Sequence, residues 1–408
     1  MHKRLLSFLE SQGLIYESQF GFRKKHSTTH ALIDLTEAIR QAIDNNKFAC
    51  GVFVDLAKAF DTVDHKILLK KLEHYGIRGI ANSWFHSYLT NRKQYVSISG
   101  NDSSLSKIDL GVPQGSVLGP LLFLIYINDL HCAIKYSKAR HFADDTNLLL
   151  INNSLKQLKK QLNIDLKLLT NWLKANKISL NSSKTELILF KSPNKKINYE
   201  LKIKLNGTKI FPKSEVKYLG IIFDPHLNWS SQVDSLAVKL ARAAGMLAKV
   251  RHYVSTETLR SIYFAIFSSL LHYGSLVFGQ TRNSHTIRLE QIQNKAIRII
   301  NFADFCAPVS PLYHKSKILK FFDQVKLENS FFVHKYHNNN LPITLRKLFH
   351  TVAETGVSTR GASQHKMSLP PARTQFYGIN SVAYRGHIGA QPHGIHLYPS
   401  PPVLTWCL

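Results

Sequence analysis

Three carboxylates set the chemistry that this sequence could perform. Asp55 closes the apolar run GVFVD, and Asp144 and Asp145 stand side by side in the turn of RHFADDTNLLL. Each lies where a strand is expected to end, so two strands of one sheet can bring all three together from distant parts of the chain. Carboxylates held that close repel one another and stay ionised together only with cations between them. An all-oxygen ligand set of this charge selects magnesium, or manganese, rather than zinc. Two such ions about 4 Å apart can activate a hydroxyl nucleophile and stabilise a departing pyrophosphate. Taken singly, each aspartate is better explained as a turn or capping residue.

Other polar groups point the same way. Arg23, Lys24 and Lys25 cluster beside Phe20 and Phe22, a grouping that suits a triphosphate or a nucleic-acid backbone, or simply a solvated surface. In the loop GVPQGS (Gly111 to Ser116) two glycines let backbone approach a bound molecule closely, although an ordinary loop has the same composition. Lysine and arginine outnumber aspartate and glutamate 53 to 26, a net charge of +27. A surplus that large favours a polyanionic partner, nucleic acid before an anionic membrane surface. Cys50, Cys132, Cys306 and Cys407 are far apart, which argues against a zinc site or a disulfide framework and fits a reducing compartment. The charged N-terminus is not a signal peptide, and the longest apolar run, Leu118 to Ile127, is too short to span a bilayer. A soluble intracellular protein with no membrane partner is expected.

The elements that must position these groups alternate between two periods. Residues 1 to 12, Thr28 to Asn45, Val63 to Tyr75 and Asn82 to Leu89 are expected helices, and Phe48 to Asp55 is a short apolar run of buried-strand type. Gln94 to Ser99 alternates like a strand, and a helix follows the GVPQGS loop to about Ala133. Strands are expected at Ala139 to Ala143 and Thr146 to Ile151, around the paired aspartates. Leu155, Leu158, Leu162, Leu166, Leu169 and Leu173 repeat at helical spacing. Thr185 to Phe190 is a strand. Alternation from Ile197 through Tyr199 to Leu205 runs into Asn206-Gly207, a hairpin signal. Val216 to Asp224 closes this half, and residues from about Ser231 to Leu348 are mostly helical.

The ordered segments FVDLAKAFDTVDH, GVPQGSVLGPLLFLIYINDL, HFADDTNLLL, NSSKTELILF and VKYLGIIFD resemble the reverse transcriptases of non-LTR retrotransposons, in particular the jockey-like and related LINE families. The resemblance implies an α+β right-hand polymerase fold: fingers and palm built from an antiparallel sheet plus helices, and a mostly helical thumb. It implies RNA-directed DNA polymerisation with two magnesium ions on an RNA template, a DNA primer or target and a deoxynucleoside triphosphate. Under it, Asp55, Asp144, Asp145 and the backbone carbonyl of Leu56 are metal ligands. Phe60 blocks a ribose 2′-hydroxyl by sterics, Gln114 and Gly115 meet the incoming nucleotide, and Arg23 is the basic fingers residue. Lys184 matches the lysine proposed to protonate departing pyrophosphate, and Tyr218, Leu219 and Gly220 match the hairpin that grips the primer end. Phe142 stands where many relatives carry tyrosine.

The expected domains are an incomplete fingers and palm over 1–225, a thumb-like region over 226–350 with basic residues Lys239, Arg242, Lys249, Arg251, Arg288, Lys295 and Arg298, and a poorly ordered tail over 351–408. Related elements carry an endonuclease and an early fingers segment ahead of the sequence beginning here, so Met1 is expected to be internal to a longer polyprotein. The chain is expected to be made in the cytoplasm and to act in the nucleus. Two other readings fit the same residues: an inactive element copy that binds RNA or DNA through its charge, and a domesticated interaction protein on the same fold.

Overall fold

The computed structural model describes residues 1–197, 201–279, 281 and 283–349, with isolated positions from 372 to 385. The expected tail lies almost wholly outside the described residues, as does Tyr199. The chain divides into two compact units, Met1–Leu227 and Asn228–Leu408.

The first unit opens with helices α1 (His2–Ser11) and α2 (Thr28–Asp44), strand β1 (Phe48–Val54), and helices α3 (His65–His74) and α4 (Gly79–Leu89). A ribbon of short strands follows: β2 (Arg92–Gln94), β3 (Ser97–Ile98), β4 (Asn101–Asp102) and β5 (Ser106–Ile108). Helix α5 (Gly119–Ile127) tightens into a 3₁₀ turn at Asn128–Ala133, then come β6 (Lys138–Phe142), β7 (Asp145–Asn152), α6 (Leu155–Ala175) and β8 (Glu186–Phe190). Two hairpins close the unit, β9 (Ile203–Leu205) with β10 (Thr208–Ile210), and β11 (Val216–Tyr218) with β12 (Ile221–Phe223).

The frame is a four-stranded antiparallel sheet in the order β6-β7-β1-β8. All seven residues of β1 are buried, as expected of an apolar, β-branched strand paired on both edges. Its register runs from Phe48↔Asn152 to Val54↔Thr146 on one side, and from Ala49↔Phe190 to Phe53↔Glu186 on the other. A one-residue slip would exchange the faces of every side chain, so the strand ends are fixed in place. The leucine stripe of α6 is buried as its spacing requires. Helix α5 is buried on nearly all sides, in keeping with its uniformly apolar sequence. Asp64 caps α3 by accepting from the Ile67 N–H at 3.0 Å.

Val216 to Asp224 folds as a hairpin, because Leu219 and Gly220 both take positive φ (43° and 81°) and reverse the chain. Gln94 to Ser99 is split between two separate ladders, and Tyr95, Val96, Ile98 and Leu105 of this ribbon are exposed; alternation without a core to face does not hold one strand. Of the strand expected from Ile197, residues 198–200 lie outside the described residues, and Ile203–Leu205 form a ladder with Thr208–Ile210.

The second unit is helical over its described residues: α7 (Ser230–Val250), α8 (Thr256–Ile262), a π turn (Tyr263–Ser268), α9 (Ser269–His272), α10 (Ser275–Phe278), α11 (Asn283–Ile300), α12 (Val309–Ser316), α13 (Phe321–His337) and α14 (Ile343–Arg346). Helix α7 packs against α11 and buries Leu236, Leu240, Ala243 and Leu247. Its Lys239, Arg242 and Lys249 are exposed, as is Lys295 of α11. Arg288 is instead ion-paired with Asp234, Arg298 donates to the Ala307 carbonyl at 3.0 Å, and the Arg251 guanidinium lies over the Phe302 ring at 5.3 Å. No helix of the described residues is long and apolar enough to cross a membrane.

Candidate active site

Strand β1 delivers Asp55 to the edge of the sheet one residue beyond the Val54↔Thr146 pair, level with Asp145 at the start of β7. Phe142 pairs with Asp145, which leaves Ala143 and Asp144 as the two-residue turn between β6 and β7. On the far side of Asp55 the chain bridges Leu56 to Leu180: the Asn181 N–H donates to the Asp55 carbonyl and the Ala57 N–H to the Ser179 carbonyl, both at 2.9 Å. In an antiparallel pair the residue between such bonds turns its own carbonyl away from its partner. The Leu56 carbonyl therefore faces the side on which β7 and the Ala143–Asp144 turn lie.

The carboxylates sense one another. Although part of Asp145 reaches solvent, the surrounding protein desolvates its carboxyl, and the charges of Asp144 and Asp55 add to the effect, pushing its pKa up to about 6. Among the described residues no three acidic, histidine or cysteine side chains converge closely enough to hold an ion as they stand. The donor set nevertheless fits a divalent cation: three oxygen-bearing side chains whose mutual repulsion a cation relieves, and a carbonyl turned toward them.

Phe60 is half-buried, stacked on Phe123 of α5 at 4.2 Å between centroids and met edge-on by the exposed Phe22 at 6.2 Å. The loop holding Gln114 and Gly115 is tied to the same segment. The Val112 N–H donates to the Phe60 carbonyl (2.9 Å), the Gly111 N–H to the Val63 carbonyl (2.8 Å), and His65 Nε2 lies 2.7 Å from the Gly111 carbonyl oxygen. A Cβ at Gly111, where φ is +86°, would meet the Asp61 carbonyl oxygen at 2.8 Å, so only glycine fits. Gln114 is exposed and donates through Nε2 to Asp61 Oδ1 at 2.7 Å. Nothing lies within 4 Å of a Cβ built at Gly115, so the space over that part of the loop is open.

The remaining candidates are spread around this centre. Arg23 directs Nη1 to the Tyr16 and Gln19 carbonyls at 3.1 and 3.4 Å, and burial lowers its pKa, so its guanidinium braces its own loop. Lys24 and Lys25 are exposed. Lys184 is exposed in the turn that begins at Asn181, the residue bonded to Asp55. Tyr218 packs on Phe53 at 5.0 Å, and burial together with the nearby Asp145 charge raises its pKa. Its hydroxyl is buried with no hydrogen-bond partner among the described residues.

Two buried polar joints of the first unit lie outside the candidates that the sequence singles out. Arg140, 1% exposed in β6, is ion-paired with Asp34 of α2. Asp165, fully buried in α6, accepts from the Lys135, Tyr136 and Ser137 N–H groups and the Ser137 hydroxyl at 2.6 to 3.2 Å. An acid inside the apolar stripe Leu162-Leu166 was the available clue.

Comparison with known proteins adds the family. The profile described as reverse transcriptase (RNA-dependent DNA polymerase) matches residues 1–223. The probable RNA-directed DNA polymerase from transposon BS of Drosophila melanogaster is 30% identical over 317 residues, covering 73% of this chain and 34% of that protein. The RNA-directed DNA polymerase from mobile element jockey of the same organism is 28% identical over 384 residues, covering 90% of this chain and 41% of that protein. The chain thus spans well under half the length of either relative. Among solved structures, telomerase from Candida albicans in complex with a TWJ fragment of telomeric RNA aligns with a TM-score of 0.46 and 11% identity, covering 78% of this chain and 58% of that one.

Proposed function

This chain belongs to the reverse transcriptase (RNA-dependent DNA polymerase) family, and from that premise we propose that it extends a DNA primer on an RNA template, joining the primer 3′-hydroxyl to the α-phosphate of a deoxynucleoside triphosphate with release of pyrophosphate. The observation that carries the proposal is the meeting of Asp55 with the Asp144–Asp145 turn at one end of the sheet, where desolvation, with the charges of Asp144 and Asp55 added, pushes Asp145 up to about 6.

Members of the family generally use a divalent metal. Asp55, Asp144, Asp145 and the Leu56 carbonyl would hold it here, as two magnesium ions or, second, manganese, given an all-oxygen donor set. When bound, such ions make the primer hydroxyl a better nucleophile and offset charge on the leaving pyrophosphate. Phe60, fixed by its stack on Phe123, would close the space that a ribose 2′-hydroxyl needs. Gln114 and Gly115 would meet the nucleotide at the open side of their loop. Arg23 and the exposed Lys24 and Lys25 would attract its phosphates, Lys184 would protonate the pyrophosphate, and the turn of Tyr218, Leu219 and Gly220 would steady the primer end. Positioning and charge neutralisation would supply most of the acceleration. In a mobile element the reaction would be target-primed synthesis on nicked chromosomal DNA, with the chain made in the cytoplasm and acting in the nucleus. The first unit corresponds to fingers and palm, and the helical unit to a thumb.

The test is extension of oligo(dT) on poly(rA) with dTTP and Mg²⁺. The full chain is expected to extend the primer, and Asp144→Asn to abolish extension. Undiminished extension by Asp144→Asn would remove the site assignment. Tight binding of the primer–template with no extension by a folded preparation would favour the second reading, a nucleic-acid binder that acts through its charge of +27.

A further inference from the structure

We infer that Gln19 is a positioning residue for the aspartate turn, a role that rests on the polymerase reading above. The side chain is buried at 3% exposure, and its Oε1 accepts two backbone N–H groups, Gly21 at 2.8 Å and Ala143 at 3.2 Å. Both partners are donors, so the oxygen must face them. Ala143 is the first residue of the two-residue turn that presents Asp144 and Asp145, and its φ of +56° is one that a residue with a Cβ rarely adopts. Hairpin turns with positive φ at this position are normally given to glycine. A strained turn at a functional site persists only where its surroundings over-determine it.

Here the surroundings are the segment Ser18–Gly21. It lies along β6 as a parallel bridge between Gln19 and His141, with the Phe20 N–H donating to the His141 carbonyl at 2.8 Å and the His141 N–H to the Ser18 carbonyl at 2.9 Å. Gly21 passes so close that a Cβ on it would stand 2.3 Å from the Ala143 nitrogen. Arg23 braces the same loop through the Tyr16 and Gln19 carbonyls. Gln19 therefore fastens a loop far away in sequence to the turn that aims two carboxylates, and that loop also sets Phe22 at the edge of Phe60.

The full chain is compared with Gln19→Met, Gln19→Glu and the double variant Gln19→Met/Ala143→Gly. Two quantities are measured: steady-state extension of poly(rA)/oligo(dT), and hydrogen exchange at the Ala143 amide. Methionine keeps the volume and loses the acceptor, and kcat is expected to fall about ten- to a hundredfold with the KM for dTTP changed less than about threefold. Exchange at Ala143 should rise while amides in β1 keep their protection. Glutamate retains an acceptor oxygen and should hold kcat within a few-fold. Glycine at 143 removes the strain that the clamp opposes, so the double variant should regain most of the lost kcat.

Wild-type kcat and unchanged Ala143 exchange in Gln19→Met would overturn the inference, as would no recovery in the double variant. If Gln19→Met folds only when Ala143→Gly is present, the clamp stands. If neither folds, Gln19 is a general core residue and the inference fails. An inactive wild-type chain would sink the polymerase reading, while exchange at Ala143 would still decide whether the clamp exists.

Discussion

At Asp145 two penalties act on one carboxyl, desolvation and the charges of its neighbours, and both oppose ionisation. An ordinary aspartate titrates near 3.9. Held at about 6 when folded, Asp145 contributes stability that is complete below about pH 4 and is lost as pH rises through about 6. Asp145→Asn is therefore expected to melt at a higher temperature than wild type at about pH 7.5 and at the same temperature at about pH 4. The gap should be on the order of 1 kcal/mol once solvent screening of a partly exposed carboxyl is allowed for. Equal melting at the higher pH would mean that the three carboxylates do not strain the fold. Phe60 makes a separate forecast. Its ring is pinned between Phe123 and Phe22, so Phe60→Ala should raise ribonucleotide relative to deoxynucleotide incorporation by at least about tenfold, read from paired rates with UTP and dTTP. An unchanged ratio would leave Phe60 as packing alone.

Asp165 ties helix α6 to the segment that feeds β6. Four donors converge on one buried carboxylate, so Asp165→Asn turns an amide N–H₂ toward at least one of them and leaves it unpaired. The expected loss is about 1–3 kcal/mol, read as a lower urea midpoint with an unchanged slope; an unchanged midpoint would show that water replaces the carboxylate. The elements themselves were legible wherever a period met a core. The β-branched run at Phe48 and the leucine spacing of α6 each predict an element that the fold buries as expected. The hairpin at Val216 to Phe223 was expected only through the family resemblance, because its turn depends on positive φ at Leu219 and a leucine by itself announces no such turn. Long-range polar joints were not legible at all. Arg140 sits in KARHF, where charge reads as an exposed edge. Its burial follows only from Asp34, which is on a different element. Gln19 lies in a basic loop with no periodicity, and nothing before the fold exists links it to Ala143. The carboxylates could be anticipated from the run of motifs, whereas the parts that aim them could not.

For the whole chain, a net charge of +27 is spread unevenly among free and engaged groups. Lys239, Arg242, Lys249 and Lys295 are exposed, while Arg288 and Arg298 already have protein partners. If about four of these cations each neutralise a phosphate, the logarithm of duplex affinity should fall against the logarithm of salt with a slope of about −4. Fluorescence anisotropy over a KCl series measures it, and a flat line would exclude backbone contacts as the source of affinity. The β2–β5 ribbon has a different consequence. It leaves and rejoins the first unit at the Arg92↔Ile108 pair, and its far end turns at Ser99–Gly100, away from the core. Foreign sequence added at that tip would lengthen a surface projection without moving β1 or the aspartate turn. A small reporter domain spliced between Ser99 and Gly100 should leave the melting of the first unit unchanged, which makes the ribbon a natural point at which this fold could gain cargo.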